Sequence, residues 1–481
     1  MIKPNDIQPS VGATIPANEV RRLRRDLKLR DLIIYGIVIM TPIAPVPLFG
    51  VAQEVSRGHA VTTILIAGAA MLLTAFSYGR MANLYPSAGS AYSYVGHGLN
   101  PHLGFLAGWV MCLDYLVLPT VAVIQAALAM VRLVPHVPYP VWVAIFVGGM
   151  TTMNLGGIRK TARANNLMLV YLLIVVAFFV ILAIRYLVQT VDWSGLFSLQ
   201  PFYDPRTFNA RAVATATSFA AMTYIGFDGV TTLAEEVENP RRNVLRATVY
   251  VCLLTAFLSC VEVYLAQLVW PDYHAFPDIE TGFMDVTRRV GGSVLFQSMG
   301  IAVILSSFGA GLAAQAGAAR LLYAMGRDNV VPRKLFGYLS AKHSNPSYNI
   351  CMIGVLTLAG SLLLNLERAA ELLNFGAFLG FMGVNMAALR QNYMLQRNNP
   401  QRRLLRDALV PVFGFLFCLG IWLSLPRLAQ IVGGLWLLGG IAYGAIRTRG
   451  YRNRPVMLGF EEMQGNAEDA IPVLNLPGGP K

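Results

Sequence analysis

Thr41-Pro42-Ile43-Ala44-Pro45-Val46-Pro47 sets three prolines in the middle of an otherwise continuous apolar run, residues 32–55. Each proline removes a backbone donor, and the second and third prevent a regular helix from passing through. A comparable interruption, Tyr224-Ile225-Gly226-Phe227-Asp228-Gly229, places two glycines around a carboxylate inside the apolar run 212–234. Backbone groups freed at membrane depth must be buried in protein or line a cavity. The paired breaks therefore predict a cavity near mid-depth; the competing reading is that proline and glycine, common in membrane helices, merely kink these two.

The surrounding chain has the composition of an all-α membrane protein. Hydrophobic residues make up 55% of its 481 positions and charged residues 13%, and the mean hydropathy is +0.53, which excludes a soluble domain. The apolar residues fall into blocks of about 18 to 25, each long enough to cross a hydrocarbon core about 30 Å thick. Spans are read at 32–55, 61–82, 103–131, 141–155, 167–187, 212–234, 247–269, 294–322, 350–366, 369–389, 410–425 and 428–446. That makes about twelve; the fourth, ninth and eleventh are short, and glycine or proline interrupts the first, third and sixth, so eleven or thirteen also fit.

Alternating the loops from a cytoplasmic amino terminus puts 29 of the 38 Lys and Arg on the inner side, including Arg21, Arg22, Arg24, Arg25 and Lys28, and nine outside. This bias orients the chain with both termini cytoplasmic. The net charge of +13 is thus a topology signal and a contact with anionic membrane lipids rather than a nucleic-acid surface. The basic cluster before Asp31 leads into a full-length span, so no cleavable leader is expected. The five cysteines, Cys112, Cys252, Cys260, Cys351 and Cys418, lie within apolar blocks without metal-ligand spacing, so neither disulfides nor a metal is expected. No phosphate-cradling loop is present. No cofactor and no enzymatic activity are expected, and transport would run on ion or substrate gradients.

The breaks occupy the first and sixth spans. Five is odd, so the sixth span enters from the side opposite the first, and two five-helix halves become inverted copies with the substrate site between their broken helices. The expected organisation is a basic amino-terminal segment 1–30, a first repeat 31–190, an outer loop 191–210, an inverted second repeat 211–390, an inner loop 391–409, two further helices in 410–446 that serve assembly, and a cytoplasmic tail 447–481, mobile over its polar end 455–481.

Several segments are similar to the amino acid, polyamine and organocation transporter superfamily, and within it to the bacterial putrescine importers. Ser77-Tyr78-Gly79 with Tyr85-Pro86-Ser87-Ala88-Gly89-Ser90-Ala91-Tyr92-Ser93-Tyr94 resembles the superfamily's loop between the second and third spans. Gly226-Phe227-Asp228-Gly229 running to Glu235-Glu236 and Asn239-Pro240-Arg241 resembles its sixth-span exit. Leu113-Asp114-Tyr115-Leu116, the stretch from Arg320 to Asn329, and Asn374-Phe375-Gly376-Ala377 resemble the putrescine-importer branch. The resemblance implies a leucine-transporter-like fold in a bacterial inner membrane and a small amine or amino acid as substrate. The chain departs from that branch at Pro47, which stands before Leu48-Phe49-Gly50 where the branch has an acid, and at Glu262 and Glu371.

Ionisable groups at membrane depth are costly, and each is a functional candidate. Asp228 would hold an ammonium group or a proton, or cap the resumed half-helix. Asp114, about 16 Å along its span and beside Tyr115, faces the cavity or a neighbouring helix. Glu235 and Glu236 form a gate or proton relay, or are interfacial charges near Arg241 and Arg242. Glu262 is a proton carrier if it faces the cavity and otherwise a buried neutral acid. The prolines leave donors only on Ile43, Ala44 and Val46, which depletes a carboxylate nest and favours an amine-rich substrate. Thr41, Pro42, Tyr224, Gly226, Phe227, Ser306 and Ser307 complete the candidate cavity wall, although serines and aromatics in spans also simply pack helices. The expected function is a secondary importer of a small amine or polyamine with a proton as coupling partner. An amino acid permease or exchanger is the alternative, and a transporter-like sensor is the alternative of another class.

Overall fold

The computed structural model describes residues 27–85, 90–156, 161–234, 237–327, 332–340, 345–396 and 402–452. Among these residues there is no β-strand beyond one isolated parallel bridge, Leu27 with Val237. The helices are α1 (Leu29–Met40), α2 (Phe49–Val55), α3 (Ala60–Leu84), α4 (Ser90–Gly98), α5 (Pro101–Leu133), α6 (Tyr139–Gly156), α7 (Thr161–Gly195), α8 (Ala210–Ala220), α9 (Pro240–Val269), α10 (Gly282–Arg327), α11 (Arg333–Phe336), α12 (Ser347–Leu363), α13 (Leu366–Leu389), α14 (Val410–Leu423) and α15 (Arg427–Arg447). Eight described helical segments are long and apolar enough to cross a membrane, and the two halves of the first apolar run and α12 are shorter.

Each apolar block read from the sequence lies on helix, with instructive differences at the edges. The third block was expected to be interrupted, yet α5 continues through Pro119. A single proline deletes one donor, and packed neighbours can satisfy the carbonyl it frees, whereas three prolines within six residues cannot be absorbed. The eighth block begins earlier than its apolar pattern: α10 starts at Gly282 and bends at Gly292, whose φ of 62° lies in the left-handed region. The stretch between the second and third blocks holds the short helix α4, which tucks its small residues against α5 and α13. Much of the expected inner loop 391–409 is helical too, since α13 runs into a π-helical turn, Arg390–Met394, and α14 is preceded by another, Leu405–Leu409. The tail from 453, including 455–481, and the basic cluster Arg21 to Arg25 lie outside the described residues.

Packing pairs α3 with α9, α5 with α10 and α13, and α6 with α12. These contacts depend on small residues that let backbones approach: at Gly376 of α13 an added Cβ would run into the Val110 carbonyl oxygen of α5. The last two helices clasp the outside of the bundle. The Trp109 indole donates to the Trp436 carbonyl at 2.9 Å, the Trp436 indole returns a bond to the Trp109 carbonyl at 3.0 Å, and their rings stack at 5.0 Å, tying α5 to α15.

Candidate substrate site

The first break is a compact turn. Met40 ends α1, Thr41 takes a φ of 55°, and its amide donates to the Ile37 carbonyl at 2.9 Å. After Pro45 a 3-10 turn, Val46–Leu48, leads into α2. The amide of Ala44 donates to Thr41 at 3.2 Å and that of Val46 to Ile43 at 3.0 Å. Of the three donors that the prolines spare, only that of Ile43 is left unspent by the turn.

The second break has a different cause. α8 tightens into a 3-10 turn at Ala221–Tyr224, the chain reverses through Gly226 at a φ of 113°, and a second 3-10 segment, Phe227–Leu233, follows. Only glycine adopts that backbone conformation without strain. The Tyr224 hydroxyl donates to the Ile64 carbonyl at 3.0 Å and pins the break to α3. The Asp228 carboxylate lies close to the backbone amides of Asp228, Gly229 and Gly226, the Gly229 amide donates to the Gly226 carbonyl at 3.0 Å, and Thr231 donates to the Asp228 carbonyl at 2.6 Å. Asp228 thus sits in the first turn of that segment, buried at 7% exposure.

The two breaks meet. A Cβ on Gly226 would approach Ile39 Cγ2 to 2.5 Å, and one on Gly229 would come 3.1 Å from Ile39 Cδ1. Around them stands an aromatic box: Tyr78 of α3 sits edge-on to Phe227 at 5.3 Å, to Tyr94 of α4 at 5.8 Å and to Phe381 of α13 at 5.9 Å. Phe227 and Phe381 are 5.2 Å apart. Asp114, thirteen residues into α5 and so about 20 Å along it, lies within electrostatic range of Asp228, and Tyr115 within range of both. Asp114 Oδ1 and the Tyr78 hydroxyl are buried with no hydrogen-bond partner. Two acids among aromatic rings, with no salt bridge to either among the described residues, form an arrangement complementary to organic cations.

The other candidates fall elsewhere. Thr41, Pro42 and Ile43 are buried in the first turn, and Ala44 is partly exposed. Ser306 is buried on α10, a helix that touches the 3-10 turn after the first break, while its neighbour Ser307 donates to Gln125 of α5 at 3.1 Å. Glu262 is fully buried on α9, both oxygens without a partner. It lies seven residues, about 10 Å of helix, beyond Thr255, whose hydroxyl reaches the Met40 sulfur beside the first break at 3.9 Å. Glu371 is buried in α13, and Glu235 and Glu236 lie outside the described residues. Sequence reasoning passed over Tyr78, Tyr94 and Phe381 as wall residues. The two tyrosines stood inside a motif quoted for its resemblance, but Phe381 is one phenylalanine among many in an apolar run and carries no signal.

Paired helix breaks that meet inside an apolar helical bundle are the arrangement of membrane transport proteins. The family model for amino acid permeases matches residues 45–441, and the chain belongs to that family. It is 30% identical over 435 residues to the low-affinity putrescine importer PlaP of Escherichia coli K12, covering 90% of this chain and 95% of the relative. It is 25% identical to the methylthioribose transporter of Bacillus subtilis, over 87% and 92% of the two chains. The branched-chain amino acid permease BcaP of the same organism is also 25% identical, over 93% and 98%.

Proposed function

We propose that this protein is a secondary active importer of a putrescine-like amine or polyamine, working by alternating access and coupled to protons. In this reading about twelve helices cross a bacterial inner membrane as two inverted five-helix halves plus α14 and α15, with both termini cytoplasmic. The pairing of α3 with α9, α5 with α10 and α6 with α12 supports it, since each joins spans in corresponding positions of the two halves. The similarity to a putrescine importer supports the substrate class.

The observation that carries the reading is the pair Asp228 and Asp114, two buried acids within range of each other beside the meeting point of the breaks. Like charges so placed repel, and a cation between them removes the repulsion. The first break adds to this: with the Ala44 and Val46 amides spent, little remains to hold a substrate carboxylate. That weighs against an amino acid, the alternative to which the BcaP similarity points.

The test is a thermal-shift panel on purified protein with putrescine, longer polyamines, basic amino acids and neutral amino acids, followed by uptake into proteoliposomes under an imposed pH gradient. A specific ligand stabilises by mass action. Stabilisation by putrescine and uptake that follows the proton gradient are expected. Stabilisation by neutral amino acids alone would overturn the amine assignment, and uptake indifferent to the gradient would overturn the coupling.

A further inference from the structure

A second polar site lies away from the breaks, where α3, α13 and α14 converge at the end of the bundle at which α1 begins. A cleft of about 230 Å³ is lined there by Arg80, Asn83, Leu84, Asn392, Arg406 and Asp407. Asp407, 2% exposed, is the hub. Its Oδ1 forms an ion pair with Arg80 Nη2 at 2.9 Å and accepts from Arg406 Nε at 2.9 Å; its Oδ2 accepts from the Arg403 amide at 2.8 Å and from Arg406 Nη2 at 3.3 Å. Arg80 Nη2 also donates to Asn392 at 2.7 Å. Both π-helical turns serve this geometry, since one carries Asn392 and the other Asp407. Such turns re-aim side chains that a regular helix would send elsewhere.

The acid is saturated and the bases are not. Arg80 engages through Nη2 alone, and Arg406 through Nε and Nη2, so Nε and Nη1 of Arg80 and Nη1 of Arg406 take no partner among the described residues. These guanidinium donors line a cleft that contains two cations against one carboxylate. Guanidinium N–H groups left free donate charge-assisted bonds to phosphate oxygens. The rim selects the source of that phosphate. Leu84 lines the cleft, and the exposed Met394, Leu395, Leu404 and Leu405 belong to or flank the two turns that carry Asn392 and Asp407, an apolar collar suited to acyl chains and out of place against water.

We propose that this cleft binds the headgroup phosphate of an anionic phospholipid, with the acyl chains lying along the leucine collar and the headgroup bridging α3 to α14. Its assignment to the cytoplasmic leaflet rests on the orientation proposed above. The binding does not, and it is read without substrate, so failure of the transport reading leaves it untouched.

The experiment uses the full chain in detergent. Native mass spectrometry and thermal shift are recorded with phosphatidylglycerol, with phosphatidylcholine and with inorganic phosphate. Phosphatidylglycerol is expected to be retained and to raise the melting temperature where the other two do not. Arg406→Gln, at a side chain 40% exposed, is expected to weaken retention roughly tenfold through the loss of a charge-assisted bond. Equal retention of both lipids, equal stabilisation by inorganic phosphate, or undiminished retention in folded Arg406→Gln would each overturn the proposal. Should that variant not fold, the wild-type comparison of the three ligands decides alone.

Discussion

Gly226 lies directly against Ile39, so that the turning point of one broken helix is packed on the last turn before the break of the other. Neither residue is polar, yet their contact brings the interruptions to one place. The geometry leaves no room for a larger residue at 226, both because of its φ of 113° and because a Cβ would press on Ile39 Cγ2 at 2.5 Å.

Gly226→Ala is therefore expected to cost about 1–3 kcal/mol in backbone strain and to abolish uptake into proteoliposomes. Gly434→Ala, at a helical position with open space around it, is the control: helix propensity favours alanine there by about 1 kcal/mol, and uptake stays at the wild-type level.

Replacing one acid of the pair reads substrate charge directly. Asp114→Asn keeps shape and removes charge. Losing a charge-assisted bond of about 1.5–3 kcal/mol weakens putrescine by roughly ten- to a hundredfold in a thermal-shift titration. Asp228→Asn is expected to lose both uptake and its pH dependence while the shape of the side chain is kept. Unchanged uptake and pH profile in that variant would remove Asp228 from the mechanism.

The clasp between Trp109 and Trp436 holds α15 onto α5 through two hydrogen bonds and a stacked pair. Trp436→Ala is expected to lower stability by about 3 kcal/mol, seen as a fall in melting temperature in detergent. Because α15 lies outside the proposed repeats, substrate affinity in the folded fraction is expected to be unchanged.

The segment between α7 and α8 is fastened to the start of α3. His59 Nε2 accepts from the Asp204 amide at 3.0 Å, and the Asp204 carboxylate accepts from the Arg206 amide at 2.9 Å. That backbone bond holds the Asp204 carboxyl below its ordinary value of 3.8. A depressed acid stabilises the folded form fully above its ordinary value, and the contribution is lost as pH falls through the depressed one. Hydrogen exchange at Arg206 and Phe208 is expected to speed up below about pH 4, after correction for intrinsic rates, and Asp204→Asn to flatten that change.

Much of this was legible in the sequence because it is local. Three prolines within six residues end a helix wherever they occur, and Gly226 and Gly229 around Asp228 mark a break. The apolar blocks announce their helices through length alone. Where expectation and structure part, the deciding factor was a neighbour. Pro119 is carried within an intact α5, and Arg80 is an ion-pair partner of Asp407 more than three hundred residues away.

The amino-acid sequence by itself determined that this chain is a helical membrane protein and which two helices break, since hydrophobic length and missing backbone donors are properties of contiguous residues. Only the tertiary structure decided that the breaks touch, that Asp114 and Asp228 share one electrostatic environment, that Tyr78 packs against Phe227 and Phe381 beside the second break, and that Glu262 stands apart on α9. Those relations depend on which helix faces pack together, and periodicity along one strand of chain carries no information about the partner across the gap.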